Sequence, residues 1–94
     1  MSDDEFEWDT AKAADNYAKH GISFETAVRI FDDLFAIERL DDRADYGEDR
    51  YSILGMVEGV VLYVAYTIRN GTIRIISARG AEPHEKRRYH EDNA

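Results

Sequence analysis

Cysteine is absent from the 94-residue sequence, and Pro83 is its only proline. The lack of cysteine excludes disulfides and thiolate metal sites and is compatible with a reducing compartment. Long apolar runs are also missing, because the longest, Val60–Tyr66, is far below the roughly 18 residues that suggest a membrane span. The segment Met1–Glu5 is acidic and lacks the basic and apolar regions of a secretion signal. These absences predict a soluble cytoplasmic protein that has no membrane partner.

The sequence also lacks the short motifs of metal and nucleotide sites. His84 and His90 are six residues apart, whereas a zinc-binding helix places its histidines at i and i+4. The acidic segment 41–49 lacks the alternating order and the final glutamate of an EF-hand loop. Glycine-rich phosphate loops, nucleophile elbows and dinucleotide fingerprints are missing as well. We therefore expect no metal and no other cofactor.

Acidic residues outnumber basic ones, which gives a net charge of −8, and the two signs are unevenly distributed along the chain. Residues 1–68 contain six Lys or Arg against sixteen Asp or Glu, whereas residues 69–90 contain six basic residues against two acidic ones. The first segment has a net charge of −10 and the second of +4. Because exposed charges are screened beyond about 10 Å, phosphate binding depends on a local excess of positive charge such as that of residues 69–90. The basic end is predicted to bind phosphates, and the acidic remainder to meet a basic partner.

The hydrophobic residues, 44% of the chain, supply the core of a single domain over residues 1–94, in which residues 1–5 are expected to be disordered. Asp9 is a favourable N-cap for a first helix over Thr10–Lys19, which Gly21 ends. Ser23 caps a second helix. The side chains expected to face the core are Ala11, Ala14 and Tyr17 or Ala18 in the first helix, and Phe24, Ala27, Val28 and Phe31 in the second.

Beyond these helices the hydrophobic pattern changes to that of strands. Strands are predicted over Phe35–Leu40, Arg50–Met56, Val60–Arg69 and Thr72–Arg79, with an exposed loop over Asp41–Asp49 and a final helix over His84–Glu91. The fold class is α+β: two N-terminal helices pack on one face of a mainly antiparallel sheet of about four strands, which the short C-terminal helix closes.

Asn70-Gly71 is a strong signal for a two-residue hairpin turn, because a type I′ turn needs positive φ at both positions. Such a turn places Thr67 opposite Arg74 and Ala65 opposite Ile76. Arg69 and Arg74 then lie on one face, over which the final helix could fold. The other face should pack under the helices and contains Leu62, Val64, Tyr66, Ile68, Ile73 and Ile75.

Four segments, Phe6–Asp33, Gly47–Tyr51, Tyr66–Ala81 and Glu85–Tyr89, closely resemble the BrnT toxins of bacterial type II toxin–antitoxin systems. The pair KHG-x-SFE-x-A and RIISAR-x-A is the most specific part of this resemblance. It implies a RelE-like fold and an endoribonuclease activity that stops translation. It also implies a BrnA-type antitoxin with a ribbon-helix-helix DNA-binding part, and a toxin homodimer within a heterotetramer.

Metal-free cleavage of RNA needs a base for the 2′-hydroxyl, cations for the phosphorane and an acid for the departing 5′-oxygen. Arginine suits the second role because its fork matches two phosphate oxygens. We assign stabilisation of the phosphorane first to Arg74 and Arg79, and then to Arg69. The resemblance favours Arg74, Arg79 and Tyr89. Each arginine could instead be a solvated strand residue or an ion-pair partner of Glu48, Asp49 or Glu85.

The other roles have weaker candidates. His20 could be the base, since its ordinary pKa suits proton transfer, or simply a cap of the helix end. Glu48 could be a base, an orienting group or a salt-bridge partner. Tyr89 is either the acid and a base-stacking group or an anchor for the final helix. Further RNA contacts are expected from Lys19, Arg50, Lys86, Arg87 and Arg88.

Two other functions predict the same fold. One is a non-catalytic module that uses its arginines and acidic loop only to bind another protein. The other binds nucleic acid without cleaving it, because it lacks a competent base.

Overall fold

The computed structural model describes residues 5–43 and 45–93. The α+β class is confirmed. The helices are α1 (Thr10–His20), α2 (Phe24–Ala27), a 3-10 helix (Val28–Asp32) and α3 (Pro83–Asp92). The strands are β1 (Phe6–Glu7), β2 (Ile37–Asp41), β3 (Arg50–Val57), β4 (Val60–Arg69) and β5 (Thr72–Gly80). None of the described helices is long and apolar enough to cross a bilayer.

The sheet differs from the predicted one by a fifth strand. Its order is β1-β5-β4-β3-β2, and β1 pairs with β5 in parallel, whereas the other pairs are antiparallel. The additional strand, β1, has only two residues and was too short for its alternation to be recognised. Residues 1–4, for which disorder is predicted, lie outside the described residues, and the Glu5 carbonyl accepts a hydrogen bond from the Ile73 amide.

The local signals at the helix ends are confirmed. Asp9 Oδ1 accepts a hydrogen bond from the Lys12 amide at 3.0 Å, and Ser23 Oγ accepts one from the Thr26 amide at 3.1 Å. Gly21 ends α1 with a φ of 71°. The second helix is shorter than a continuous α-helix, because it tightens into the 3-10 helix after Ala27.

The predicted buried face of α1 is wrong. The alanines at 11, 14 and 18 and Tyr17 are exposed, and the helix turns Asn16 and, in part, Ala13 towards the sheet. Asn16 Nδ2 donates to the Ala78 carbonyl at 2.8 Å and to the Ile22 carbonyl at 3.1 Å, and the Ala78 amide donates to Asn16 Oδ1 at 3.1 Å. Because β1 pairs only with the start of β5, this amide occupies the backbone edge that β1 leaves open.

The hairpin turn is confirmed, with φ values of 53° at Asn70 and 78° at Gly71. Thr67 lies opposite Arg74 as predicted, but Ala65 lies opposite Ser77 and not Ile76, because the register shifts between Ala65 and Tyr66. This β-bulge inserts one residue into β5, so strand positions after it change faces.

Each face of the sheet has its own core. Under α1, α2 and the 3-10 helix the buried side chains include Phe24, Ile30, Ile53, Val64 and Ala78. Of the side chains predicted for this face, Ile68 is 52% exposed, and it lies near the β4–β5 turn. Under α3 on the opposite face are Leu54, Val61, Ala81 and Tyr89. The C-terminal helix therefore covers only part of the second face.

Candidate functional site

Four predicted cations share the sheet face that α3 partly covers. Arg50 lies opposite Thr67, which lies opposite Arg74, and Arg69 lies near the β4–β5 turn. The bulge adds Arg79 to the same face, where it lies opposite Tyr63. With an uninterrupted register, Arg79 would point into the core beneath the helices. We call the surface formed by Arg50, Arg69, Arg74 and Arg79 the arginine face.

Small side chains separate the two ends of the arginine face. Ser52, Ala65 and Ser77 form a cross-strand row between the row that contains Arg74 and the row that contains Arg79. With a rise of about 3.3 Å per residue, the two arginine rows are about 13 Å apart. An extended phosphodiester chain could lie over the small side chains and reach both ends.

Arg74 is paired with a carboxylate that the sequence analysis missed. Its Nη1 lies 2.6 Å from Glu7 Oε2, and both side chains are half-buried. The pairing follows directly from the parallel register, in which Glu7 of β1 is the neighbour of Arg74 in β5. Only recognition of β1 as a strand could have revealed it.

Arg69 and Arg50 meet at Glu48, in the loop before β3. Arg69 makes a two-point contact with the Glu48 carboxylate, at 3.1 and 3.2 Å, and Arg50 Nε lies 3.9 Å from Glu48 Oε2. The Arg50 guanidinium also lies 4.3 Å from the centroid of the Tyr46 ring. Hydrogen bonds from Arg69 lower the pKa of Glu48, so this carboxyl group is ionised at neutral pH.

Arg79 is held between α3 and the sheet. Its Nη1 and Nη2 lie 2.7 and 3.0 Å from the Glu85 carboxylate, and its guanidinium lies 4.2 Å from the centroid of the Tyr63 ring. Burial alone would raise the pKa of Glu85, but hydrogen bonds from Arg79 and from the Glu82 amide outweigh it and lower the pKa. The ion pairs with Glu48 and Glu85 are those that the sequence analysis left open.

Tyr89 lies apart from the arginines. Its hydroxyl donates a hydrogen bond to Asp33 Oδ2 at 2.6 Å, and the residue is 5% exposed within the core beneath α3. Burial and the hydrogen bond to Asp33 raise the pKa of Tyr89 to about 12. Asp33 Oδ2 also accepts the Met56 amide at 2.8 Å, so this tyrosine ties α3 to β3. The geometry favours an anchoring role.

The remaining predicted residues are dispersed. Lys19 and His20 are exposed at the end of α1, which packs on the sheet face opposite the arginines. Lys86 and Arg87 are exposed on α3, and Arg88 is half-buried beside the arginine face. Residues 5–43 and 45–93 contain no cluster of three or more His, Cys, Asp or Glu side chains suited to a metal ion.

Comparison with known proteins identifies the family. A family model described as "Ribonuclease toxin, BrnT, of type II toxin-antitoxin system" matches residues 8–85. The match begins directly after β1 and contains the other four strands, β2 to β5, with both arginine rows. No curated protein matched the chain in a sequence search. The chain therefore belongs to the BrnT family of ribonuclease toxins of type II toxin–antitoxin systems.

Proposed function

We propose that the protein is a metal-independent endoribonuclease that cleaves RNA at the arginine face and thereby stops translation. The observation that carries the proposal is the β-bulge, which brings Arg79 to the same side of the sheet as Arg74. Four guanidinium groups then border a strip of small side chains that an RNA strand could occupy. Family membership supplies the ribonuclease class.

The reaction proceeds by attack of the ribose 2′-oxygen on the adjacent phosphorus, with cleavage of the bond from phosphorus to the 5′-oxygen. Glu48 accepts the 2′-proton, and Arg69 and Arg74 stabilise the charge of the phosphorane. Arg79 holds the RNA strand at the other end of the small side chains and so keeps the scissile bond aligned with the attacking oxygen. The departing 5′-oxygen takes a proton from water at the open face, since Tyr89 donates its hydroxyl proton to Asp33. The products are a 2′,3′-cyclic phosphate and a 5′-hydroxyl.

The internal ion pairs are compatible with this reaction. A phosphate presents paired oxygens as a carboxylate does, so RNA can replace Glu7 at Arg74 without unfolding the site. Until RNA arrives, the carboxylates keep the clustered guanidinium groups from repelling one another.

We further propose that a BrnA-type ribbon-helix-helix antitoxin silences the toxin in the cytoplasm by covering the arginine face, within a heterotetramer that contains a toxin homodimer. The fold is proposed to be RelE-like. The type II class of the family supports an antitoxin that is itself a protein and binds the toxin.

The decisive experiment measures RNA cleavage by the purified protein in excess chelator, and growth arrest after induction in bacteria. Arg74→Lys and Arg79→Lys keep the charge but lose the planar fork, and each should lower cleavage by about 100-fold or more. The control is Arg29→Gln, which removes an exposed arginine paired with Glu58 on another surface. Full activity in both lysine variants, or complete loss of activity in chelator, would refute the proposal.

A second candidate function, a non-catalytic binding module, is favoured by one observation. Arg69, Arg74 and Arg79 are all engaged by carboxylates of the same chain, as structural ion pairs would be. This function predicts that wild-type protein leaves RNA intact while still binding its partner. Intact RNA at high protein concentration, together with tight antitoxin binding, would establish it.

A further inference from the structure

A groove beside the arginine face has no part in the reaction proposed above. It has a volume of about 240 Å³ and lies between α3 and the strands β2 and β3. Its lining residues include two that no sequence pattern singled out, Arg39 and Ser52, together with Tyr63, His84 and Arg88.

The charges in this groove leave two cations without an anion. Asp41, which lines it, is held by Arg43 through two contacts of 2.8 Å that lower the pKa of Asp41 to about 2. Glu85, which also lines it, is held by Arg79. Within residues 5–43 and 45–93, neither Arg39 nor Arg88 forms an ion pair, and Asp42 is the one lining carboxylate left unpaired.

Arg88 is the more unusual of the two. Its Nε is enclosed by protein and has no hydrogen-bond partner among the described residues. Folding has therefore removed water from a charged donor without supplying an acceptor from the chain, which is an unfavourable arrangement. The backbone that carries Arg88 is held in place, because the adjacent Tyr89 is buried and hydrogen-bonded to Asp33. An anionic ligand in the groove would pair with the guanidinium.

The distance from the groove to the row that contains Arg50 and Arg74 matches the spacing of successive phosphates in an RNA strand. Arg39 lies opposite Ser52, in the row of small side chains directly beside the row that contains Arg50 and Arg74. Adjacent rows on one face are two residues, or about 7 Å, apart. That separation is comparable with the distance between successive phosphates in an extended strand.

We propose that this groove is a subsite for a backbone phosphate of the RNA, held by Arg39 and Arg88 next to the phosphate at the arginine face. The inference rests on the proposed ribonuclease function and specifies how its substrate is positioned. Ser52 can donate a hydroxyl hydrogen bond to the same phosphate. Because these contacts involve only the backbone, the subsite strengthens binding without selecting a base.

The test uses the full chain and a fluorescein-labelled 2′-O-methyl RNA octamer, which lacks the 2′-hydroxyl and cannot be cleaved. Fluorescence anisotropy gives its Kd between 50 and 200 mM salt. Arg39→Gln and Arg88→Gln should each weaken binding about three- to tenfold and reduce the salt dependence by about 0.7 in log–log slope, the value for one lost single-strand phosphate contact. Arg29→Gln is the matched control and should bind as wild type does.

The outcomes separate this inference from the ribonuclease proposal. Octamer binding with the expected variant effects, but no cleavage of ordinary RNA, would refute the ribonuclease and leave the phosphate subsite standing. Cleavage by wild type with unchanged octamer binding in both variants would overturn the subsite. The same unchanged binding with weakened antitoxin binding would assign the groove to the protein partner instead. Arg88→Lys, which keeps the charge if Arg88→Gln fails to fold, should retain part of the salt dependence.

Discussion

Replacement of Asn16 by alanine should destabilise the protein more than an alanine substitution at any other position of α1. The asparagine is 7% exposed and satisfies three backbone groups, namely the amide and carbonyl of Ala78 and the carbonyl of Ile22. Each buried group left without a partner costs about 1–3 kcal/mol. Some water can reach the vacated space, so we expect a total loss of about 2–4 kcal/mol. A domain of this size has a stability of only about 5–14 kcal/mol.

Urea unfolding followed by circular dichroism measures this loss as a lower midpoint at an unchanged m-value. Asp15→Ala is the matched control, because it gives the same helix an alanine at an exposed position. Asn16→Asp should be at least as harmful, since it keeps an acceptor for the Ala78 amide but places oxygen against two carbonyls. Hydrogen exchange at the Ala78 amide should accelerate in Asn16→Ala, which removes the acceptor of this amide.

The result that would refute this reasoning is specific. If Asn16→Ala costs no more than Asp15→Ala and Ala78 keeps its protection, the side chain does not close the sheet edge. The experiment also bears on the site, because Ala78 lies between the bulge and Arg79. A frayed edge at Ala78 should lower RNA binding before the protein unfolds.

Three further predictions concern single contacts. Tyr89→Phe should lower the free energy of unfolding in urea by about 1.5–3 kcal/mol, because it loses a hydrogen bond to a carboxylate. RNA cleavage should remain intact, and a fall of about 100-fold in cleavage would make Tyr89 the acid. Gly55→Ala should lower the free energy of unfolding by about 1–3 kcal/mol through overpacking, because the added Cβ would lie 2.6 Å from Ile30 Cγ1. The control is Gly80→Ala, which should change stability little because the space around Gly80 is open. Glu85→Gln should lower stability at pH 7, and the pH dependence of the stability tests the ion pair with Arg79. Since the folded pKa of Glu85 is lowered, its contribution is present above the ordinary value and is lost as the pH falls through the folded value. Between pH 7 and pH 3 the free energy of unfolding should therefore fall less in the variant than in wild type. An equal fall in both proteins would contradict the ion pair.

Several features were accessible to the sequence because they depend on neighbouring residues alone. Asp9 and Ser23 cap the helices they precede, and the turn at Asn70-Gly71 has the positive φ values that its residue types favour. The strand Val60–Arg69 was predicted with its observed bounds. The family was recognisable too, since its motifs are read directly from the residues.

The candidate site was only partly accessible. The clustering of basic residues near the C-terminal end predicted candidate arginines, and the sequence left ion pairs with Glu48 and Glu85 open, but it revealed neither Glu7 as the partner of Arg74 nor the face that Arg79 shares with it. Glu7 reaches Arg74 through a parallel pairing across 67 residues of chain, and Arg39 reaches the groove from the opposite edge of the sheet. Contacts of this kind depend on topology, which no local pattern encodes.

By itself, the sequence determined the α+β class, the helix caps, the hairpin turn and the family. The tertiary structure alone decided that Arg79 lies on the same sheet face as Arg74, because an inserted residue in β5 shifts the alternation. Ile75 and Ile76 are both apolar, so their chemistry does not reveal which of them faces the core. Packing decides it: Ile75 and Ala78 are both buried under the helices, and that requires the bulge between them.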